Sequence, residues 1–369
     1  MTRRRGAFDI GSGATKLQVS DVSIDGLIIR TLYGEERPCA FGADWLKSTD
    51  GCLSPLIQDK GIQTIKDLKA IGDELAVESY AVIATEVFRK AANGHLFLDK
   101  VRAMGMSVTV ISQEIEAELG YATAVAYNGN HDVGACIAWD SGGGSFQIST
   151  LVETEDVVGE CDASSGRTVD LGSQKKKYLE IYMGALGSSI ATKTLIEELQ
   201  GKKLADVLTP NPISDADANS LIEALILKMD EDVPIWLRNS PEVVAIGGPN
   251  SIFQLARNIL NTLSKEESLV PYGVEETNFD DSFSISQVRV AIDECVNRSD
   301  EYLKRFLSFP NADPTTIIVP KLCLLYSVMK HTGIKKVRAV WSSRIVLLIY
   351  SLHHIIHNIL DIESRLISM

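Results

Sequence analysis

The stretch Trp139–Ser149, WDSGGGSFQIS, decides how this chain is read. It pairs with a second glycine-rich run, FDIGSGATKLQV, at Phe8–Val19. Both runs share one grammar: apolar residues, an aspartate, a glycine/serine turn, then alternating residues leading away. That pattern predicts a strand, a tight turn and an antiparallel strand. Asp9 and Asp140 each precede their turn. The backbone N–H groups of Gly11, Ser12 and Gly13, and of Gly142, Gly143 and Gly144, can crowd an anion, because no bulky side chain intervenes. Two such turns in one chain suggest half-sites that face each other across a phosphate.

A chain of 369 residues with 45% hydrophobic and 23% charged residues reads as a soluble globular protein of two domains. The formal charge of −13 argues against nucleic acid as a partner, because bulk phosphate binding needs a basic face. The six cysteines are scattered without metal spacing or a disulfide framework, so reduced thiols and a cytoplasmic location are expected. Arg3-Arg4-Arg5 is followed at once by the Asp9 run, with no apolar segment of a leader. The apolar C-terminal run IVLLIYSLHHIIHNIL is too short and too polar to span a membrane. It is expected to be a packed helix offering a homodimer surface.

Residues 6–35 read as hairpin strands and 59–78 as an amphipathic helix, from Ile62, Ile65, Leu68, Ile71 and Leu75. Strands are expected at 79–85 and 106–112. A helix from Glu86 breaks at Asn93-Gly94, a second spans 95–104, and Ser112 caps a third that starts near Gln113. The second half is expected to be helical at 174–183, 187–199, 214–237, 250–264, 284–306, 317–331 and 343–361. VVAIGGPNS (243–251) reads as a strand, a glycine turn and a helix start, 337–342 as a late strand, and 265–282 as a surface loop.

FDIGSGATKLQV, ATEVFRKAAN (84–93), ISQEIEAELGY (111–121) and WDSGGGSFQIS, in this order, resemble the exopolyphosphatase / guanosine pentaphosphate phosphohydrolase family. The likeness covers about the first 190 residues well and continues faintly through GGPNS, 317–337 and Ser343-Arg344. It implies an α/β, two-domain, actin-like ATPase (ribonuclease H-like) fold with an interdomain cleft. The domains would be 1–125 with 341–369, and 126–340, the short two-domain form. The implied reaction releases terminal phosphate from inorganic polyphosphate or guanosine pentaphosphate, with Mg²⁺ or a similar divalent cation.

Phosphoanhydride hydrolysis needs a positioned water, neutralised oxygens and a stabilised leaving group. By the resemblance, Glu116 activates the water and Arg89 offers a bidentate fork to phosphate. On a helix Glu116 lies roughly opposite Glu114 and Glu118, so one solvated stripe does not account for all three. The bland alternatives are acids favoured near a helix N-terminus and a surface arginine. Gly11, Ser12, Gly13, Thr15, Gly142, Gly143, Gly144 and Ser145 would bind phosphate. Asp140 would anchor the cation, with Asp9 second, although each can also be a turn-forming aspartate. Lys16 can reach a phosphate or be an exposed strand lysine.

Two departures stand out. Gln147 takes the place of a glutamate usual in the family, and Arg344 is followed by IVLLIYSL where a glycine often occurs. Lys175-Lys176-Lys177, read as a helix start, is a solvated face or a landing strip for polyphosphate. His353 and His357 lack a third metal ligand. Competing readings are a kinase of the same fold, with Gly247-Gly248-Pro249 at a nucleoside, and a non-catalytic sensor of nucleotide or polyphosphate.

Overall fold

The computed structural model describes residues 2–24, 28–128, 136–156, 174–238, 240, 242–267, 282–307 and 317–341. The expected helix at 343–361, with Arg344, His353 and His357, lies outside the described residues.

The first sheet contains β1 (Thr2–Ile10), β2 (Ala14–Ser23), β3 (Ile28–Pro38), β4 (Ser79–Ala84) and β5 (Ser107–Val110), in the order β3-β2-β1-β4-β5. The first three strands are antiparallel, and β4 and β5 run parallel to β1. In β1 the arginines sit at the outer end while Ala7–Ile10 are buried, as a central strand covered on both faces requires. Helices α1 (Phe41–Lys47), α2 (Pro55–Glu74), α3 (Glu86–Lys90) and α4 (Gly94–Arg102) belong to this lobe. Its core holds Phe8, Phe41, Phe88 and Phe97. Helix α2 starts a turn earlier than apolar spacing predicts, because Ser54 caps it and Pro55 opens it. It ends before Ala76, whose φ is 59°.

Helix α5 (Gln113–Asn128) leaves β5 and packs on the second sheet. The Ser112 hydroxyl accepts from the Ile115 N–H at 3.3 Å, the expected cap. The second sheet contains β6 (Ile137–Ser141), β7 (Phe146–Asp156), β8 (Gln174–Gly184), β9 (Val243–Gly247), β10 (Ser282–Ser284) and β11 (Lys336–Trp341), in the order β10-β11-β9-β6-β7-β8. Strands β6–β8 are antiparallel, and β9 and β11 run parallel to β6. With the edge strand β10 set aside, this repeats the pattern of the first sheet. The chain therefore has the two-lobed actin-like α/β architecture that its motifs imply.

The second lobe also carries α6 (Ser188–Lys193) running into a π-helical turn at Thr194–Leu199, then α7 (Asp215–Leu227), α8 (Ile235–Arg238), α9 (Ile252–Glu267), α10 (Ile285–Cys295), α11 (Asp300–Leu307) and α12 (Ile318–Thr332). The expected helix at 214–237 is two helices: the first ends at Leu227, and the second starts directly after Pro234. The helix expected at 284–306 is likewise interrupted, at Asn297 with φ 60°.

The expected helix at 174–183 is wrong: this segment is strand β8. Tyr178, Leu179, Ile181, Tyr182 and Met183, interrupted by Glu180, fit either period, and the long partner β7 decides the outcome. Tyr182 pairs with Ile148 and Gly184 with Phe146. Lys175 and Lys177 thereby stand opposite Glu155 and Glu153 in a strand ladder, not on a helix.

Trp139, next to Asp140, is fully buried and meets Phe253 edge-on at 5.0 Å between ring centroids. Trp139→Ala should lower the unfolding free energy by about 3–5 kcal/mol, measured by denaturant titration. A cost under about 1 kcal/mol would mean that this core is not packed as described.

Candidate active site

The two glycine turns are built alike. The Gly11 N–H donates to the Ala14 carbonyl and the Gly142 N–H to the Ser145 carbonyl, each at 2.9 Å. Each is then tied to a helix of its own lobe. The Gly42 N–H in α1 donates to the Ser12 carbonyl at 2.7 Å, and the Ser189 N–H in α6 to the Gly143 carbonyl at 2.8 Å. The turns meet tip to tip: a Cβ added to Gly143 would stand 3.1 Å from Ser12 Cβ and 3.5 Å from the Gly13 nitrogen.

Both turns line one cavity of about 680 Å³ that also contains Asp9, Asp140, Glu116 and Lys16. Glu116 reaches it from the first turn of α5. Its Oε2 lies 2.8 Å from Arg89 Nη2, and Arg89 Nη1 donates to the Ile111 carbonyl at 2.5 Å. Burial raises the Glu116 pKa to about 8 although Arg89 opposes this, and Asp140 and Asp9 add to the rise. Desolvation of the carboxylate outweighs one partly exposed guanidinium. Arg89, expected on phosphate, has its fork turned to Glu116 and the Ile111 carbonyl, and is not among the residues lining the cavity.

Asp9 and Lys16 are paired residues on β1 and β2, with Oδ2 and Nζ 3.2 Å apart. Burial disfavours the Lys16 ammonium, but Asp9, Glu36 and Asp140 together hold its pKa above the ordinary value. Asp140 is raised to about 6 by burial, with Lys16 opposing and Asp9 reinforcing. Gln147 faces Asp140 across β6 and β7 as Lys16 faces Asp9, and it donates to Ser145 Oγ at 3.1 Å. Thr15 is fully buried and does not line the cavity, because alternation along β2 sends Lys16 there instead.

Among the described residues no cluster of three or more His, Cys, Asp or Glu forms a metal cage. Mg²⁺ needs no such cage, since one or two carboxylates plus phosphate oxygens usually hold it. Asp9 Oδ1 is buried without a hydrogen-bond partner at the cavity wall, and Asp140 shares its field. The donor set fits a hard divalent cation.

Sequence reasoning missed Glu36, Glu86, Asn250 and Lys321, all in the cavity wall. Glu36 pairs with Lys16 across β2 and β3, and its Oε1 accepts from Asn250 Nδ2 of the other lobe at 3.1 Å. Period-two alternation from Lys16 could have found it. Lys321 is a buried ammonium in the first turn of α12 that donates to the Asn250 carbonyl. Burial lowers its pKa to about 8, against Glu36. A lone lysine inside IIVPKLCLLYS was the available signal.

This two-lobed α/β architecture has counterparts among known proteins. The model of the Ppx/GppA phosphatase family matches residues 22–161 of this chain. A Ppx/GppA family member from Aquifex aeolicus superposes with TM-score 0.60 at 19% identity, covering 96% of this chain and 99% of that one. An exopolyphosphatase from Cytophaga hutchinsonii superposes with TM-score 0.65 at 16% identity, covering 95% and 97%. At these identities the likeness is one of fold. No curated protein matches the chain.

Proposed function

We propose that the chain is a phosphohydrolase that removes terminal phosphate from phosphoanhydride chains. Inorganic polyphosphate is its first substrate and guanosine pentaphosphate its second. One observation carries the reading: two backbone turns, one from each lobe, converge on the cavity into which Glu116 projects. The turns would hold the terminal phosphoryl group through their N–H groups. Glu116 would orient and deprotonate water, and Arg89 would fix the Glu116 carboxylate rather than bind phosphate. Asp140 and Asp9 would hold Mg²⁺, which when bound neutralises phosphate oxygens. Residues 1–125 with 341–369, and 126–340, are the proposed domains. Among the described residues no helix is long and apolar enough to cross a membrane.

The test is phosphate release from polyphosphate and from guanosine pentaphosphate, with Mg²⁺ present or chelated and no acceptor added. No free phosphate without an acceptor, and a phosphorylated acceptor once one is added, would point to a kinase. Binding without release would favour the sensor reading, for which Gln147 is the specific motive. The rate should also rise with pH to a plateau above about 8, because the Glu116 carboxyl is protonated below that value and cannot accept a proton. A profile that falls through the same range would exclude Glu116 as the base.

A further inference from the structure

The seat between the two turns already has a guest. Glu86, at the start of α3, is 8% exposed. Its Oε2 accepts from the Ser12 hydroxyl at 3.1 Å, so it is held by the tip of the first turn. It also lies against the tip of the second. A Cβ on Gly144 would overlap the Glu86 carboxylate, so the carboxylate can enter only because residue 144 is glycine. The other oxygen is paired with Lys90, one turn further along α3 and 39% exposed at its side chain. A carboxylate thus lies between both turns, bonded to the first and packed against the second, with Lys90 paired on its outer side.

We infer that Glu86 is an intramolecular competitor for the phosphoryl seat: its carboxylate occupies the place between Ser12 and Gly144, and a phosphate enters only by displacing it toward Lys90. This rests on the reading that the turns bind phosphate. The consequence lies in product release. A ligand's apparent affinity falls by the fraction of time its seat is free, and the same factor applies to every ligand that uses the seat. A long phosphate chain has further cations within the cavity, Lys16, Lys60 and Lys321, to offset that factor. Orthophosphate has the seat alone. Glu86 therefore weakens the product to the point of release while leaving the chain bound.

The experiment is calorimetric titration of orthophosphate and of tripolyphosphate, at fixed salt and Mg²⁺, into the wild type, Glu86→Gln, Glu86→Ser and Lys90→Met. Glu86→Gln keeps the shape and the acceptor for Ser12 but removes the charge, and Glu86→Ser empties the seat. Both should bind both ligands about tenfold more tightly, by a common factor. Lys90→Met, which removes the place of retreat, should weaken both. A structural disturbance would not give opposite signs on the two sides of one ion pair. If the two Glu86 variants bind no more tightly while the wild type binds tripolyphosphate, the competitor role is overturned and the phosphohydrolase reading stands. If no protein binds tripolyphosphate, that reading falls as well.

Discussion

Glu116→Gln should lower phosphate release at least about a hundredfold, the usual worth of a positioned general base. The amide fills the same volume and can still accept from Arg89, so the folded state should survive. Burial disfavours the charge of the Glu116 carboxylate, so a neutral amide there meets no desolvation penalty that the wild type escapes. The loss should fall on kcat, with KM for polyphosphate little changed, because Glu116 acts on water and not on the bound chain. The rise of rate with pH should vanish in the residual activity. Steady-state kinetics across pH decides this. A variant within threefold of the wild type would remove Glu116 from the chemistry.

Gly187→Ala should disable the site from behind. Gly187 precedes α6 with φ −137° and ψ −179°, extended backbone open to any residue, so strain is not the reason for glycine there. Space is the reason. A Cβ at this position would run into the backbone of Gly143 and Gly144, which cannot swing aside as a flexible side chain could. The second turn must then move relative to the first. Overpacking of this kind costs about 1–3 kcal/mol of stability. Misplacing a phosphate-positioning turn by about 1 Å costs on the order of a hundredfold in rate. Thermal unfolding and phosphate release should both decline. Gly13→Ala, whose Cβ would meet nothing within 4 Å, is the stability control and should unfold as the wild type does. An unchanged melting temperature and rate in Gly187→Ala would mean that the second turn does not rest on α6.

The two Asp-turn runs were legible in the sequence because a hairpin is local. Its strands, its turn and the aspartate before it lie within a dozen residues, and their chemistry is fixed by backbone geometry. The family motifs add order along the chain, and that order placed Glu116 and Arg89 near the turns. The direction in which Arg89 points was not legible. Its guanidinium goes to Glu116 and the Ile111 carbonyl because α3 and the start of α5 come together, which no spacing within ATEVFRKAAN encodes. Glu36 and Lys321 left only weak signals in the sequence, because what makes them part of the wall is Asn250, far from both in the chain. The segment 174–183 failed differently. Its apolar run suits helix or strand, and pairing with β7 chose.

By itself the amino-acid sequence determined that this chain has two glycine-rich turns, each behind an aspartate, and a glutamate-bearing helix between them. Only the tertiary structure decided that these turns meet at one cavity, that Glu86 sits between them, and that burial raises Glu116. Turn conformation depends on neighbours in the chain. Electrostatic environment and the occupancy of a cleft depend on groups brought together from far apart, and that information exists only once the chain has folded.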